Sequence, residues 1–458
     1  MKIAVVGGGL GGLAAARALV AQGHDAHVLE ASERVGGVIR TSIVDGYRRE
    51  HAASSFLGGP PHGALALCNE LGVAVDKASP RARKRWIFID GKLRALPTGP
   101  ISLVRTDLLT WRGKLALLKE PFTPARDAAR AGDESMHAFA ARRFGPEVAR
   151  AIIAPFVTGV YAADAHDVSL EAGFPRLAAL DAAGGIVRGG IKQMLASRTS
   201  AKSNAAAAAS PSSTSAKSNA AKTPRGMYAP VGGLGAMIDA LAGELGERVH
   251  TGVRIRSVEP DGRGIVVAGQ RWDRAVLALA AADAIPLVER SVPELAAKLA
   301  PFTRAPVALV YLGVAEADLP AAALDGFGML VAAGEDMRVL GVVFESTVWP
   351  DRAPAGHALL RCIFGGGRDP DAATQLGDGE LIATARRDVA RAFGMSAPTI
   401  ATAHASVIRW PRALAQYPVG HRERVREAEA VARGANLALA GADYRGPGIN
   451  DLLGDGVH

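Results

Sequence analysis

The chain has 458 residues, of which 49% are hydrophobic and 5% aromatic, and its formal net charge is +8. Two distant cysteines, Cys68 and Cys362, exclude a disulfide framework and a cysteine-rich metal site. The length and apolar content suffice for two or three cores. The basic balance fits an acidic substrate or a membrane surface better than nucleic acid, because few aromatic side chains are available for stacking.

The first predicted element is a strand that runs into a glycine-rich turn and a helix. Gly7, Gly9 and Gly12 have the spacing GxGxxG, and Glu30 ends the next predicted strand. Such glycines allow a tight turn and bring a pyrophosphate close to the helix N-terminus, while the acid is placed for the ribose hydroxyls. The pattern predicts a dinucleotide site; a turn that only packs helix on sheet is the alternative.

A second basic, glycine-rich segment follows the acid. Arg34 can reach a phosphate, and Gly36 and Gly37 let the backbone pass close to a ligand. NAD-binding folds have no particular need of this contact, whereas an extended FAD does. Glu30 favours a free 2′-hydroxyl, which disfavours NADP. We therefore interpret the N-terminal site as an FAD site.

The middle of the chain predicts strands, then helices, then an insertion. Residues 81–89 indicate a strand and Asp90-Gly91 a hairpin turn. Proline-punctuated amphipathic segments predict helices at 103–118, 136–143 and 147–153. The low-complexity segment 197–226 repeats SAKSNAA and cannot bury a core, so we expect a disordered insertion without a role in catalysis.

The last part of the chain predicts a return to the dinucleotide fold. We expect a helix from about 234 to 244 and a strand over 250–258, followed by a β-rich stretch over 264–280. Further strands are predicted at 307–312, 339–344 and 358–364, with a helix over 379–393. A buried strand then runs into a glycine loop after Leu439. His404, His421 and Tyr417 form no acid–base constellation, so no general base is assigned.

Four separated segments share a pattern with one known family. They are GGGLGGL with ERVGG near the N-terminus, RWIFIDGKLRALPTGP at 85–100, DGFGMLV at 325–331 with VLGVVFES at 339–346, and RWPRALAQYPVGH at 409–421 with LALAGADYRGPGIND at 437–451. Together they resemble the oxygen-dependent protoporphyrinogen oxidases of the flavin-dependent amine oxidase superfamily. The resemblance covers nearly the whole chain apart from the insertion.

The resemblance implies an α/β (α+β) fold with three domains. A Rossmann-like FAD-binding domain of the p-hydroxybenzoate hydroxylase type would comprise 1–63, 227–288 and 404–458. A mixed-sheet substrate-binding domain would comprise 64–80 and 289–403. An α-helical, membrane-associating domain would comprise 81–196.

The resemblance also implies the reaction and its site. Protoporphyrinogen IX would lose six electrons in three two-electron steps, with hydride transfer to the flavin and O2 as the final acceptor. The implied substrate contacts are Arg85 for a propionate, and Gly159, Phe327, Gly328 and Leu330 for the macrocycle. The implied cofactor contacts are Gly7, Gly8, Gly9, Leu10, Gly11, Gly12, Glu30, Arg34, Gly37, Val38, Ala52, Ala53, Ser54, Ser55, Val253, Ala442, Pro447, Gly448 and Ile449.

Departures and alternatives remain at this point. His51-Ala52-Ala53 replaces a Gly-Pro that many relatives carry after the position of Glu50, and Leu452 excludes a covalent flavin link there. Relatives continue past the position of His458 into a helix whose N-terminus points at the flavin, and we expect the loss of that helix to weaken FAD binding. Coproporphyrinogen III oxidation, another flavin amine oxidase or desaturase activity, and a non-catalytic FAD- or porphyrin-binding protein are the alternatives.

The expected partners are a porphyrinogen, O2 and the surface of a membrane. We expect no nucleic acid and no metal, and we expect a homodimer and hand-over of product to ferrochelatase. The expected location is the cytoplasm, peripheral on the inner face of the membrane.

Overall fold

The computed structural model describes residues 1–453, except 60, 61, 98, 125, 127–131, 187, 190–225, 321 and 398. The predicted insertion at 197–226 therefore lies outside the described residues, apart from Gly226. The strands are β1 (Lys2–Val6), β2 (Asp25–Leu29), β3 (Thr41–Val44), β4 (Tyr47–Glu50), β5 (Phe56–Leu57), β6 (Val75–Lys77), β7 (Trp86–Ile89), β8 (Lys92–Ala95), β9 (Met227–Pro230), β10 (Val249–His250), β11 (Val258–Pro260), β12 (Ile265–Val267), β13 (Gln270–Trp272), β14 (Arg274–Leu277), β15 (Arg304–Ala315), β16 (Gly328–Val331), β17 (Gly341–Phe344), β18 (His357–Gly365), β19 (His404–Ala415) and β20 (Leu437–Leu439).

The α-helices of the described residues either pack on the two large sheets or form a separate helical body. They are α1 (Leu10–Ala21), α2 (Ala64–Glu70), α3 (Pro100–Arg105), α4 (Trp111–Leu118), α5 (Met136–Phe144), α6 (Pro146–Val148), α7 (Ala154–Tyr161), α8 (Leu170–Gly173), α9 (Pro175–Ala182), α10 (Leu234–Leu245), α11 (Ala281–Val288), α12 (Pro293–Leu299), α13 (Glu345–Val348), α14 (Pro370–Thr374), α15 (Asp378–Ala392), α16 (His421–Gly434), α17 (Ala442–Arg445) and α18 (Ile449–Leu453). None of the described helices is both long enough and apolar enough to cross a membrane.

The N-terminal strand lies at the centre of a five-stranded parallel sheet. The strand order is β10-β2-β1-β14-β20, and each neighbouring pair is parallel. Helices α1, α2 and α10 cover one face, and α11, α12 and α16 cover the other. Because both faces are covered, Ile3, Ala4, Val5 and Val6 are all buried. This is the predicted Rossmann-like body, with the carboxyl ends of its strands at one edge.

A seven-stranded mixed sheet forms the second body. Its order is β19-β15-β18-β17-β16-β7-β8, and the β16–β7 pair is parallel while the other pairs are antiparallel. Helices α14 and α15 pack on one face through an apolar core. The opposite face turns towards the N-terminal body, because Tyr311 of β15 and Trp410 of β19 donate hydrogen bonds to its backbone.

The sheet pairing reassigns three segments relative to the predicted boundaries. Residues 404–415 form β19 and pair with β15, so they lie in the substrate sheet and not in the FAD-binding domain. Residues 86–95 form β7 and β8 of the same sheet, so the helical body begins at α3. Residues 64–70 form α2, whose Leu67 and Cys68 pack in the core of the N-terminal body.

The predicted elements agree with the structure where a segment's own residues determine its backbone conformation. Asp90 and Gly91 have φ of 52° and 71°, as a two-residue hairpin turn between β7 and β8 requires. The expected strand over 250–258 is wrong for residues 251–257, because the chain turns at Gly252 (φ +71°) and crosses the end of β2 before β11 begins at Val258. The expected helix over 103–118 is broken, because Thr106 ends α3 and Thr110 caps α4.

Candidate cofactor and substrate site

The glycine turn has the geometry that the motif predicts. Gly7 has φ of 108°, and a Cβ on Gly12 would lie 1.9 Å from the Gly7 carbonyl oxygen. A Cβ on Gly9 would meet nothing within 4 Å, so open space adjoins this residue. Helix α1 begins at Leu10 without a side-chain cap, which leaves its first N–H groups available to an anion.

Glu30 stands at the end of β2, beside this turn. Its Oε2 accepts a 2.7 Å hydrogen bond from the Gly8 N–H, and its Oε1 accepts bonds from the Ser32 N–H and hydroxyl at 2.9 and 2.7 Å. A carboxylate has about four acceptor sites, two on each oxygen, so Oε2 keeps capacity for a ribose hydroxyl while Oε1 already accepts two bonds. The protein donors thus fix the carboxylate in the position that the motif requires.

A cleft of about 490 Å³ opens next to Glu30. Gly7, Val253 and Leu279 line it, and its other walls combine apolar side chains with the charged residues Arg254, Arg256 and Asp283. The Val253 N–H donates to the Glu30 carbonyl at 2.8 Å, so only the Val253 carbonyl can serve a ligand. The cleft has the size and character of a site for a flat, partly polar group such as adenine.

Arg34 organises the loop that covers the glycine turn. Its guanidinium donates to the carbonyls of Val35 (3.0 Å) and Gly37 (2.8 Å), and the Gly36 N–H donates to the Gly8 carbonyl (2.7 Å). The loop thereby packs so closely that a Cβ on Gly37 would lie 3.3 Å from the Gly9 Cα. A direct contact of Arg34 with phosphate stays a prediction, as does the contact of the exposed Val38 next to this loop.

Two further segments meet the glycine turn. Gly11 lies against the C-terminal loop, since its Cβ would be 3.4 Å from the Gly441 Cα. Asn450 accepts from the Ala64 N–H and donates to the Leu57 carbonyl, both at 2.8 Å. This places the C-terminal contacts predicted for FAD near the first body's cofactor edge: Ala442, Pro447, Gly448 and Ile449.

The segment after β4 offers backbone donors. The N–H groups of Ala52, Ala53, Ser54 and Ser55 have no protein acceptor among the described residues. Ser54 is buried. Since buried backbone N–H groups are nearly always hydrogen-bonded, the Ser54 N–H fits a bound ligand, and the half-buried Ala52 and Ser55 and the exposed Ala53 offer further donors beside it. Together with the uncapped α1, the open space at Gly9 and the cleft at Glu30, they fit an extended FAD.

The residues predicted to contact substrate form two pairs. The Arg85 guanidinium lies 5.2 Å from the centre of the Phe327 ring; Arg85 is exposed and Phe327 is half-buried. A Cβ on Gly159 of α7 would lie 2.4 Å from the Leu330 Cδ2, so helix and sheet touch here. Packing within the sheet already explains the glycine at position 328, because a Cβ there would lie 2.2 Å from the Val342 carbonyl oxygen.

The structure also shows polar residues that the sequence analysis missed. Glu345, Arg352 and Arg361 are buried between the two bodies, next to Ser54. Arg361 interrupts the apolar strand run Ala358–Phe364, and a charge within such a run is the one signal that could have indicated a buried ion pair. The three residues considered for acid–base catalysis in the sequence make structural contacts instead. Tyr417 donates to the Ala442 carbonyl, His404 pairs with Asp45, and His421 contacts the Asp443 carbonyl.

His51 makes the stability of the folded chain depend on pH. Burial, then the charges of Arg40, Arg49 and Arg34, lower its pKa from 6.5 to about 4. Between these values the unfolded chain binds a proton that the folded chain does not, so stability falls as the pH falls from about 6.5 to about 4. The side chain is partly exposed, and we expect a loss of about 1 kcal/mol after allowance for solvent screening.

Urea unfolding at pH 7 and pH 5 tests this expectation with His51→Gln as the comparison. The wild type should lose about 1 kcal/mol more than the variant on acidification. An equal loss in both proteins would show that His51 titrates normally in the folded state.

The parallel-sheet dinucleotide body, the mixed sheet that adjoins it at residues 50–55 and the helical body together define a multidomain flavoprotein. The model of the flavin containing amine oxidoreductase family matches residues 10–450. The chain belongs to this family, and its cofactor is FAD.

Individual relatives extend the comparison over nearly the whole chain. The chain is 28% identical to chloroplastic protoporphyrinogen oxidase 1 of Spinacia oleracea, over 93% of this chain and 77% of the relative. It is 29% identical to the protoporphyrinogen oxidases of Bos taurus and Homo sapiens, over 99% of this chain and 96% of each relative. Among solved structures, a candidate protoporphyrinogen oxidase from Exiguobacterium sp. has a TM-score of 0.76 at 21% identity, covering 99% of this chain and 96% of that one.

Proposed function

We propose that this flavoenzyme oxidises protoporphyrinogen IX to protoporphyrin IX, with O2 as the electron acceptor. The observation that carries the proposal is the similarity to plant and mammalian protoporphyrinogen oxidases over 93–99% of the chain. Removal of six hydrogens from one porphyrinogen requires three O2 and yields three H2O2. The chemistry that FAD supplies is two-electron oxidation of a carbon centre and transfer of the electrons to oxygen.

The chain's own residues would contribute position and exclusion of water. The uncapped N-terminus of α1 would hold the pyrophosphate, and the N–H groups of 52–55 would bind the flavin half of the cofactor. Phe327 and Leu330 would form an apolar wall for the macrocycle, and Gly159 would let that wall lie close to α7. Arg85 would pair with a propionate through its guanidinium, while its stacking on Phe327 keeps it beside that wall.

Turnover in air tests the proposed reaction. Porphyrin fluorescence, O2 uptake and H2O2 release are measured together on the FAD-loaded enzyme. We expect a ratio of one porphyrin to three O2 and three H2O2. A bound FAD that supports no porphyrin formation would refute the proposed substrate while leaving the family assignment intact.

We further propose that the helical body rests on a membrane that carries anionic lipid. Large apolar side chains are exposed on α3, α4 and the turn that follows, with Trp111 69% and Phe122 78% exposed. The others in this patch are Ile101, Val104, Leu115 and Leu118. Arg105, Arg112 and Lys119 are exposed between them. An exposed apolar patch interleaved with basic residues suits the interface of an anionic bilayer.

Vesicle sedimentation tests the membrane proposal. The double variant Trp111→Glu/Phe122→Glu should bind at least about 10-fold more weakly to vesicles that contain anionic lipid, because two apolar anchors are lost and two negative charges are added. Ile43→Glu is the matched control, since Ile43 is exposed on the β3–β4 hairpin outside the patch. Equal binding of both variants would contradict the proposal.

The patch also supports our proposal that the enzyme works from the cytoplasm on the inner face of the membrane. A homodimer and hand-over of the product to ferrochelatase are proposals that rest on the family resemblance. Sedimentation of the detergent-solubilised enzyme, alone and with ferrochelatase, tests both.

A further inference from the structure

The backbone of residues 50–54 is held by side chains of the second body. Four of its carbonyl oxygens accept hydrogen bonds from that body, while the N–H groups that follow are left for a ligand. The four bonds are Tyr311 Oη to Glu50 O (2.5 Å), Trp410 Nε1 to His51 O (2.6 Å), Arg361 Nη1 to Ala52 O (2.9 Å) and Arg352 Nη2 to Ser54 O (2.7 Å).

The two arginines belong to a buried ionic cluster. Arg361 Nε lies 2.9 Å from Glu345 Oε1, and Arg352 donates to the other Glu345 oxygen. Arg352 Nη2 also lies 3.6 Å from Glu50 Oε1. All four residues are at most 8% exposed. Two carboxylates thus face two guanidinium groups, and the cluster is balanced in charge.

Stability alone does not account for these arginines. Burial of an ion pair carries a desolvation cost that its mutual attraction often fails to exceed, and apolar residues of similar size commonly do as well. Arg361 lies in the otherwise apolar run 358–364 of β18, where an apolar side chain such as leucine is the ordinary residue. What a leucine could not do is bind both the Ala52 carbonyl and, at 3.1 Å, the Ser54 hydroxyl.

We propose that Arg361 and Arg352, oriented by Glu345, are positioning residues for the cofactor. They fix the 50–54 segment to the substrate sheet, so that the N–H groups of 52–55 are held in place for the flavin half of FAD. The substrate body is thereby part of the FAD site, and FAD binding is coupled to the docking of the two bodies. This inference rests on FAD binding and is independent of which substrate the enzyme oxidises.

Release of FAD from the holoenzyme tests the role of Arg361 without any substrate. Dissociation on dilution is followed by the fluorescence of free FAD, and the visible absorption spectrum of bound FAD is recorded. Arg361→Leu should weaken FAD binding about 10- to 100-fold, the effect of losing one or two charge-assisted hydrogen bonds. The resolved shoulders of the flavin band should also change. The FAD affinity of Arg361→Lys should fall between those of the wild type and Arg361→Leu, because an ammonium reaches Glu345 without bridging to both the Ala52 carbonyl and the Ser54 hydroxyl.

Arg338→Leu is the matched control. Arg338 forms a bidentate pair with Asp369 at 2.8 and 2.9 Å near the helix-covered face of the same sheet, away from the 50–54 segment. The Arg338→Leu substitution should lower the free energy of unfolding without altering the affinity for FAD or the spectrum of bound FAD. A wild-type FAD affinity and spectrum in Arg361→Leu would overturn the inference. If that variant does not fold, the same result in Arg361→Lys overturns it.

Discussion

Gly12→Ala is expected to weaken FAD binding by at least about 100-fold. The new Cβ would lie 1.9 Å from the Gly7 carbonyl oxygen, a backbone atom at the end of the central strand β1. That strand is paired on both sides, so helix α1 must move instead. Its N–H groups would then leave the position that serves a pyrophosphate, and the overpacked core would cost about 1–3 kcal/mol of stability. FAD titration of the purified variant measures the effect.

Gly243→Ala is the control for this substitution. Gly243 lies in helix α10, is exposed, and its Cβ would meet nothing within 4 Å. Alanine there should leave FAD affinity unchanged and raise stability by about 0.5–1 kcal/mol, since glycine is a poor helix former. A Gly12→Ala protein that binds FAD like the wild type would contradict the assignment of this turn to the pyrophosphate.

Arg85→Ala is expected to raise the KM for porphyrinogen about 10- to 150-fold and to leave FAD bound. A charge-assisted hydrogen bond to a carboxylate contributes about 1.5–3 kcal/mol, which corresponds to this range. Arg85 is exposed at its guanidinium and stacks on Phe327, so its loss removes a charged anchor without opening the core. Steady-state kinetics with a porphyrinogen, beside a flavin spectrum of the variant, measure both parts.

Arg85→Lys tests whether the propionate needs only a positive charge or the two parallel donors of a guanidinium. It should recover only part of the affinity, because an ammonium cannot make two parallel hydrogen bonds to one carboxylate. Lys84 already pairs with Asp325, and Lys84→Ala should therefore leave KM near the wild-type value. A wild-type KM in both Arg85 variants would show that Arg85 is a surface charge and that the propionate has another partner.

The elements that could be predicted are those specified by their own residues. The turn at Asp90-Gly91 requires positive φ at both positions, and the sequence supplies residues that tolerate it. The GxGxxG turn has the same property at Gly7, and the long strand β15 is a continuous buried run. These features need no knowledge of distant contacts.

The features that could not be predicted depend on distant partners. Strand β19 is an edge strand that contains Pro411, and its membership of the substrate sheet follows only from pairing with β15. Thr110, the cap of helix α4, is also held by a distant residue, because the Glu147 carboxylate accepts hydrogen bonds from the Thr110 N–H and hydroxyl at 2.6 and 2.7 Å. Neither contact leaves a trace in the local pattern.

The candidate site likewise has one part that local sequence specifies and one part that distant contacts assemble. The glycine turn and Glu30 are contiguous motifs, so the sequence locates them. The hydrogen bonds that hold the backbone of residues 50–54 come from side chains of β15, β18 and β19 and of the turn after α13. Only the folded chain brings these side chains together. Arg361 alone left a signal, as a charge in an apolar strand.

Anaerobic titration of the FAD-loaded enzyme tests the proposed function most directly. Without O2 the electrons stay on the flavin, so the loss of its visible absorption counts them. Protoporphyrinogen IX gives up six electrons and each FAD takes two, so one equivalent should bleach three equivalents of bound flavin. Coproporphyrinogen III should bleach it more slowly. A flavin that protoporphyrinogen IX leaves oxidised, or that coproporphyrinogen III bleaches faster, would contradict the proposed function.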